Sequence, residues 1–238
     1  MKLIAVSVGE PREVEWRGQR VQTSIFKTPA PGRINVAREN LQGDRQSDLS
    51  VHGGPLKAVY AYPMEHYAFW QEELQAAELN WGAFGENLTT EGMLEDKVCI
   101  GDRYRVGTVE LIVTQPRMPC YKLAIRFGRV DIVKRFLRSG RSGFYFAVER
   151  EGELGAGDVI EQMAHDDGGL TIADVVTLIP RMHRTSPSCN VRVRILHCPL
   201  PGGTTFESGL VSPPRDWHAS RAPDYRFQPC HPVLLRNF

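Results

Sequence analysis

Val109-Glu110-Leu111-Ile112-Val113-Thr114 runs without a break into Gln115-Pro116-Arg117-Met118-Pro119-Cys120-Tyr121-Lys122-Leu123. The first six residues set Val109, Leu111 and Val113 on one face, the alternation of a half-buried β-strand. The next nine form a stiffened loop. Each proline holds its own φ near about −65° and drives the residue before it toward extended backbone. The strand therefore ends in a rigid segment that presents one thiol, Cys120, between two cations, Arg117 and Lys122. If those cations approach the sulfur they favour the thiolate over the thiol. Such a thiol suits a nucleophile or a soft-metal ligand. The plain alternative is a small buried residue in a turn, since free cysteine is among the most buried residue types.

Working outward, the chain is rich in short strands. Lys2–Val8 alternates, as do Val21, Thr23 and Ile25, and Ile34 with Val36 continues the pattern. Leu56–Tyr62 reads as a mostly apolar strand, and Val98–Ile100 and Arg103–Val106 as two more. Phe144–Val148 and Asp158–Gln162 complete the set, with Gly152–Gly157 as a turn between them. Two helices interrupt the strands. One opens at Pro63, taken as its first residue, with Met64, Tyr67, Ala68, Gln71 and Leu74 at helical spacing. The other spans Val130–Arg138 with Gly140 as its C-terminal cap. Many strands and few helices predict a mostly β chain, a closed or nearly closed β-barrel over residues 1–165.

Composition changes near residue 180. Residues 180–238 hold 8 Arg, no Lys and 3 acids, so they carry +5 and the remainder −4 of the net +1. They also hold 9 of the 16 prolines. Residues 166–238 therefore read as a C-terminal extension. Thr171-Ile172-Ala173-Asp174 is a capping box that starts a helix over 171–178 and breaks at Pro180. An irregular Pro- and Arg-rich tail follows.

Several function classes are excluded. A net charge of +1 predicts neither nucleic-acid nor membrane affinity from bulk electrostatics. No run of about 20 apolar residues predicts a membrane span. The five cysteines form no C-x-x-C pair, which argues against a disulfide framework or structural zinc and for a reduced, cytoplasmic location. There is no dinucleotide fingerprint, P-loop, iron–sulfur spacing or G-x-S-x-G elbow. Electrons for any redox reaction must come from a bound group and an external donor.

Polar, glycine-punctuated stretches precede the cysteine loop. Val51-His52-Gly53-Gly54-Pro55 could turn backbone amides toward an anion, with His52 adding a donor or a proton; a tight turn entering a strand is the plainer account. Gly85-Glu86-Asn87-Leu88-Thr89 offers Asn87 as a hydrogen-bonding residue. Gly101-Asp102 is most simply a strand-joining turn.

Taken in order, these pieces resemble the MOSC domain, the family named for the C-terminal domain of molybdenum cofactor sulfurase, in its YiiM-like bacterial branch. The resemblance rests on Gly43-Asp44-x-Gln46-x-Asp48, His52-Gly53-Gly54, Tyr62-Pro63-x-x-His66-Tyr67, Phe84-Gly85-Glu86-Asn87-Leu88, Gly101-Asp102 and Gln115-Pro116-Arg117-x-Pro119-Cys120-Tyr121-Lys122-Leu123. It implies a MOSC-type barrel, with an atypical extension replacing the branch's usual three-helix domain; the extension is either diverged or a frameshifted reading. It implies that Cys120 ligates the molybdenum of a pyranopterin cofactor, the molybdenum cofactor. Arg117, Lys122, His52, Gly53, Gly54 and Asn87 are the candidate cofactor contacts. The implied activity is reduction of N-hydroxylated compounds such as N-hydroxylated purine bases, fed by an external flavin or iron–sulfur protein. The wider family offers two alternatives, a sulfur carrier with a persulfide on Cys120 and a non-catalytic binding module. Pyridoxal phosphate gains no support, since no Schiff-base lysine context is visible.

Overall fold

The computed structural model describes residues 1–47 and 53–185, with backbone alone for 179–185. Among these residues twelve strands run in chain order: β1 Lys2–Val8, β2 Arg12–Trp16, β3 Gln19–Thr23, β4 Thr28–Pro29, β5 Arg33–Val36, β6 Val59–Pro63, β7 Leu88–Glu91, β8 Arg103–Val106, β9 Val109–Pro116, β10 Phe144–Arg150, β11 Gly152–Gly155 and β12 Ile160–Ala164. Four helices accompany them: α1 His66–Leu74, α2 Tyr121–Phe127, α3 Ile132–Ser139 and α4 Ile172–Thr185. The main sheet has eight strands in the order β12-β8-β9-β10-β6-β7-β1-β4. All its pairs are antiparallel except β6 with β7, which α1 joins as a crossover. The sheet curls until β12 approaches β1. Lys2 bridges Val159, and Ile160 N–H donates to the Met1 carbonyl at 3.0 Å. The mostly β, nearly closed barrel expected from the sequence is what forms.

Both faces of the central strands are covered, and β6 shows why. Val59 and Ala61 point into the barrel with Leu3, Leu88, Leu111, Val113 and Phe146. Tyr60 and Tyr62, out of phase by one residue, point outward into a second core. There Trp70 and Tyr67 of α1, Leu123 of α2, and Ile132 and Phe136 of α3 close over them with Phe84. Trp70 stacks on Phe136 with centroids 5.6 Å apart, and its indole N–H donates to the Tyr62 hydroxyl at 2.6 Å. A buried aromatic of this size contributes about 4–5 kcal/mol by area removed from water. This second core fixes α2, and with it the start of the cysteine loop's helix, against the barrel wall.

Five expectations need correction. Pro63 ends β6 rather than opening a helix, and α1 begins at His66 after a turn at Met64-Glu65. Proline fits a strand end as well as a first helical turn, because both leave its missing N–H without a required partner. Leu56 belongs to a 3₁₀ turn, Pro55–Lys57, so the following strand starts at Val59. Val98–Ile100 is no strand; Cys99 makes a single bridge to Thr171. Gly152–Gly155 is a strand, because β5 pairs with it across four residues. Helix α4 continues past Pro180 to Thr185. Its predicted capping box is present: Thr171 Oγ1 accepts from the Asp174 N–H at 3.0 Å, and Asp174 Oδ2 accepts from the Thr171 N–H at 3.1 Å. Ile172 and Val176 pack it onto the barrel core. The tail beyond Thr185 and the stretch 48–52, which includes His52, lie outside the described residues. Among the described residues no helix is long and apolar enough to cross a membrane.

Candidate functional site

Strand β9 stops at Pro116, where proline can donate no further ladder bond. The Arg117 N–H still reaches the Gly143 carbonyl at 3.2 Å, tying the loop to the start of β10. Three residues later Cys120, with extended backbone at φ −126° and ψ 177°, becomes the N-cap residue of α2. Its carbonyl accepts the Leu123 N–H at 3.0 Å. The stiff loop anticipated from its prolines is thus a four-residue strand-to-helix junction. The helix was missed because Lys122, Arg126 and the short run Leu123-Ala124-Ile125 give no full amphipathic repeat. Gly128 ends it in the left-handed conformation, φ 64°.

Cys120 is half-buried and faces a cleft of about 100 Å³. The same cleft is lined by Arg117, Lys122 and Asn87, so four of the candidate residues come together. Gly53 and Gly54 stand outside its lining. Gly54, at φ 92°, precedes the 3₁₀ turn that carries Lys57 to the cleft, and its N–H donates to Gln46 Oε1 at 3.2 Å.

Arg117 is 6% exposed. Its guanidinium lies 5.2 Å from the ring centres of both Tyr60 and Phe136, a cation–π position on the wall of the aromatic core. Its Nη1 is buried with no hydrogen-bond partner among the described residues. Burial opposes the charge, but the surrounding Tyr60, Tyr145 and Cys120 outweigh it and raise the Arg117 pKa. A buried guanidinium N–H without an acceptor costs about 1–3 kcal/mol or more, so one expects an acceptor to be supplied from elsewhere. Lys122 is also buried and donates from Nζ to Ser47 Oγ at 2.9 Å.

Asn87, a candidate cofactor contact, is buried and spends its amide within the protein. Its Nδ2 donates to Asp44 Oδ2 at 2.9 Å and to the Ser7 carbonyl at 3.3 Å, while Oδ1 accepts the Tyr60 N–H at 3.1 Å. Both amide hydrogens are engaged by the protein, which leaves none for a ligand. The adjoining Glu86 is fully buried and accepts from the Gly82 and Phe84 N–H groups at 2.8 and 3.0 Å, and from the Tyr67 hydroxyl. Burial raises its pKa, against the pull of these donors. Gly85 completes the turn at φ 81°, where a Cβ would sit 2.9 Å from Ile25. Phe84-Gly85-Glu86-Asn87 is therefore a scaffold that holds one wall of the cleft.

Sequence reasoning missed Lys27, Asp44, Arg45 and Lys57; with them the described lining of the cleft holds five cations and one carboxylate. Asp44 had appeared only as part of a glycine-rich motif. Lys27 offered no local signal, because its partner lies 17 residues away.

A second cluster joins Cys99, Asp102 and His165, whose ligand atoms lie within 4.8 Å of one another. Here Asp102 is fully buried. Its carboxylate accepts from the Cys99 and Asp166 N–H groups, the Tyr104 hydroxyl and His165 Nδ1, at 2.9 to 3.1 Å. Those donors occupy its lone pairs, so the turn predicted at Gly101-Asp102 ties the Cys99 loop and β8 to the stretch His165-Asp166 after β12. Its field raises the His165 pKa.

Residues 48–161 match the family model described as the MOSC domain. The Bacillus subtilis protein YflK is 42% identical over 170 residues, covering 71% of this chain and 76% of that one. The chain belongs to the MOSC family. The crystal structure of YiiM from Geobacillus stearothermophilus superposes with a TM-score of 0.62 at 34% identity, over 75% of this chain and 83% of that one, which places this MOSC protein in the YiiM-like group. A protein named reductase from Gibberella moniliformis is 37% identical over 146 residues, 60% of this chain but only 26% of its own length. MOSC domains are associated with molybdenum-cofactor binding; Cys120, Arg117, Lys122 and Asn87 lie within the matched span, while Lys27 and Asp44 of the same cleft precede it.

Proposed function

We propose that this MOSC protein holds the molybdenum cofactor in the Cys120 cleft and reduces N-hydroxylated compounds there. The observation that carries the reading is the buried Arg117 Nη1, which lacks an acceptor among the described residues and lies in the same cleft as a half-buried thiol. The donor set fits the group. A thiolate is a soft ligand suited to molybdenum, and a phosphate-bearing pterin would supply the missing acceptor to Arg117. Cys120 would hold the metal. Arg117 and Lys122, with Arg45 and Lys57 on the rim, would face the phosphate, while Asn87 and Gly54 keep the walls in place. When bound, the cofactor supplies two-electron transfer to the substrate oxygen. The reductase name borne by the Gibberella relative is in keeping with this. Electrons would reach the cleft from a separate flavin or iron–sulfur protein, and the substrate class is small N-hydroxylated bases. The location would be cytoplasmic.

The test is to purify the chain from a host that makes the cofactor and to measure molybdenum, pterin and turnover of an N-hydroxylated purine. Stoichiometric molybdenum that disappears in Cys120→Ser, with N–O reduction by the wild type, supports the proposal. Absence of molybdenum and pterin, in a host that loads a control molybdoenzyme, overturns it. A reductant-labile gain of one sulfur on Cys120 without metal would point instead to sulfur carriage.

A further inference from the structure

The buried pair Lys27–Asp44 stands at the wall of the same cleft. The Lys27 side chain is 9% exposed and that of Asp44 3%, yet both line the same cleft as Cys120. Asp44 is fixed from three sides. Its Oδ1 accepts the Gly9 N–H at 2.8 Å and the Lys27 ammonium, and its Oδ2 accepts Asn87 Nδ2. Lys27 is less committed. Of its three ammonium hydrogens, one is taken by Asp44, and no second acceptor for Nζ stands among the described residues. A pair whose only task was to fasten two segments would gain nothing from facing a cleft, since apolar residues of the same volume do as well without the cost of desolvating two charges.

N–O reduction needs what this geometry offers. In R–NH–OH + 2 e⁻ + 2 H⁺ → R–NH₂ + H₂O the N–O bond breaks, and both electrons come from the flavin or iron–sulfur donor. One proton goes to nitrogen and the other to the departing oxygen, which leaves as water. We infer that Lys27 is the proton donor to that oxygen, and that Asp44 is the positioning residue that aims its ammonium into the cleft. Arg117 cannot fill this role, because a guanidinium keeps its proton throughout the accessible range. Lys27 recovers its proton from solvent after each cycle. Burial pushes the Lys27 pKa down, and the field of Asp44, with Glu86 behind it, offsets part of that. A lysine lowered toward neutrality is a better acid than an exposed one.

This inference rests on the N–O reduction proposed above, and the test separates the two. Lys27→Arg keeps the charge and the Asp44 contact but removes a transferable proton. The expected result is wild-type molybdenum content, a thermal midpoint near that of the wild type, and turnover reduced by about 10²-fold or more. Lys27→Ala should be partly rescued by added methylammonium, whereas Cys120→Ser should not. In cofactor-free protein carrying ¹³Cε-lysine, the Lys27 resonance, identified by its loss in Lys27→Arg, should titrate below the exposed lysines. Undiminished turnover in a fully loaded Lys27→Arg, or a Lys27 resonance that titrates with the surface lysines, overturns the inference and leaves the N–O reading standing. A molybdenum-loaded wild type that reduces no N–O substrate overturns both.

Discussion

Removing the Asn87 amide should unfold the wall of the cleft before it touches any ligand. In Asn87→Ala, the Tyr60 N–H loses its 3.1 Å acceptor within a strand that is fully buried, and Asp44 loses one of three donors. An orphaned buried N–H costs about 1–3 kcal/mol, and a lost hydrogen bond to a carboxylate about 1.5–3 kcal/mol. Water entering from the cleft can reach Asp44, which lines it, but is less able to serve Tyr60 N inside the sheet. Taking the lower part of each range gives about 3 kcal/mol, or a thermal midpoint lowered by about 6–12 °C for a chain of this size. Asn87→Asp keeps the shape but sets a second carboxylate 2.9 Å from Asp44 Oδ2, so it should fall further still. The assay is urea and thermal unfolding of cofactor-free protein. Were Asn87 chiefly a ligand contact, cofactor-free Asn87→Ala would be as stable as the wild type to within about 0.5 kcal/mol, as for substitutions away from buried networks. That result, together with loss of molybdenum from the loaded protein, would refute the scaffold reading.

Other perturbations test neighbouring parts of the argument. Arg117→Lys keeps a charge but forfeits the planar contact with Tyr60 and Phe136; it should weaken inorganic phosphate binding about tenfold, the loss of one charge-assisted hydrogen bond, as read by NMR titration. Gly143→Ala adds a Cβ 2.4 Å from the Ala61 carbonyl at φ 61°, so the midpoint should drop by the equivalent of about 3 kcal/mol through strain and displaced backbone; an unchanged midpoint would contradict the packing of β10 on β6. His165 is raised above its ordinary 6.5 by Asp102, so its contribution to stability is complete below pH 6.5 and is lost as pH rises through the higher folded value. The midpoint difference between wild type and His165→Gln should therefore shrink steadily from pH 6 upward. A difference that grows with pH would reverse the assignment.

The barrel was legible because its signal is local. Alternation in Lys2–Val8 and Val109–Pro116 declares a buried face whatever lies opposite, and the capping box at Thr171 fixes a helix start within four residues. What failed to show was set by partners distant in sequence. Gly152–Gly155 becomes a strand only because Arg33–Val36 lies beside it, and nothing in a glycine-rich stretch announces that. Pro63 carried two permitted meanings, and the sheet chose between them. The candidate site divided along the same line. Cys120, Arg117 and Lys122 were found because one short stretch, the stiff junction and the first turn of α2, carries all three. Lys27 and Asp44 were not singled out, because their chemistry exists only once β1, β3 and the loop after β5 are brought together.

That division bears on how the cleft works. Its thiol and its guanidinium share a junction tied at both ends, by the Arg117 N–H to Gly143 and by the start of α2. Their spacing is therefore set by the strand-to-helix geometry and varies little with ligand. The Lys27–Asp44 pair hangs from the opposite side, through Gly9 and Asn87. A change in Asn87 reaches Lys27 by releasing Asp44, while Arg117 keeps its seat between Tyr60 and Phe136. The two halves of the cleft should then fail separately. Wall substitutions will strip proton delivery and stability while the junction still binds anions, and junction substitutions will abolish metal and phosphate binding in a chain that remains folded. Loss of inorganic phosphate binding in a folded Asp44→Asn variant would break that separation, and with it the assignment of holding to one side and proton supply to the other.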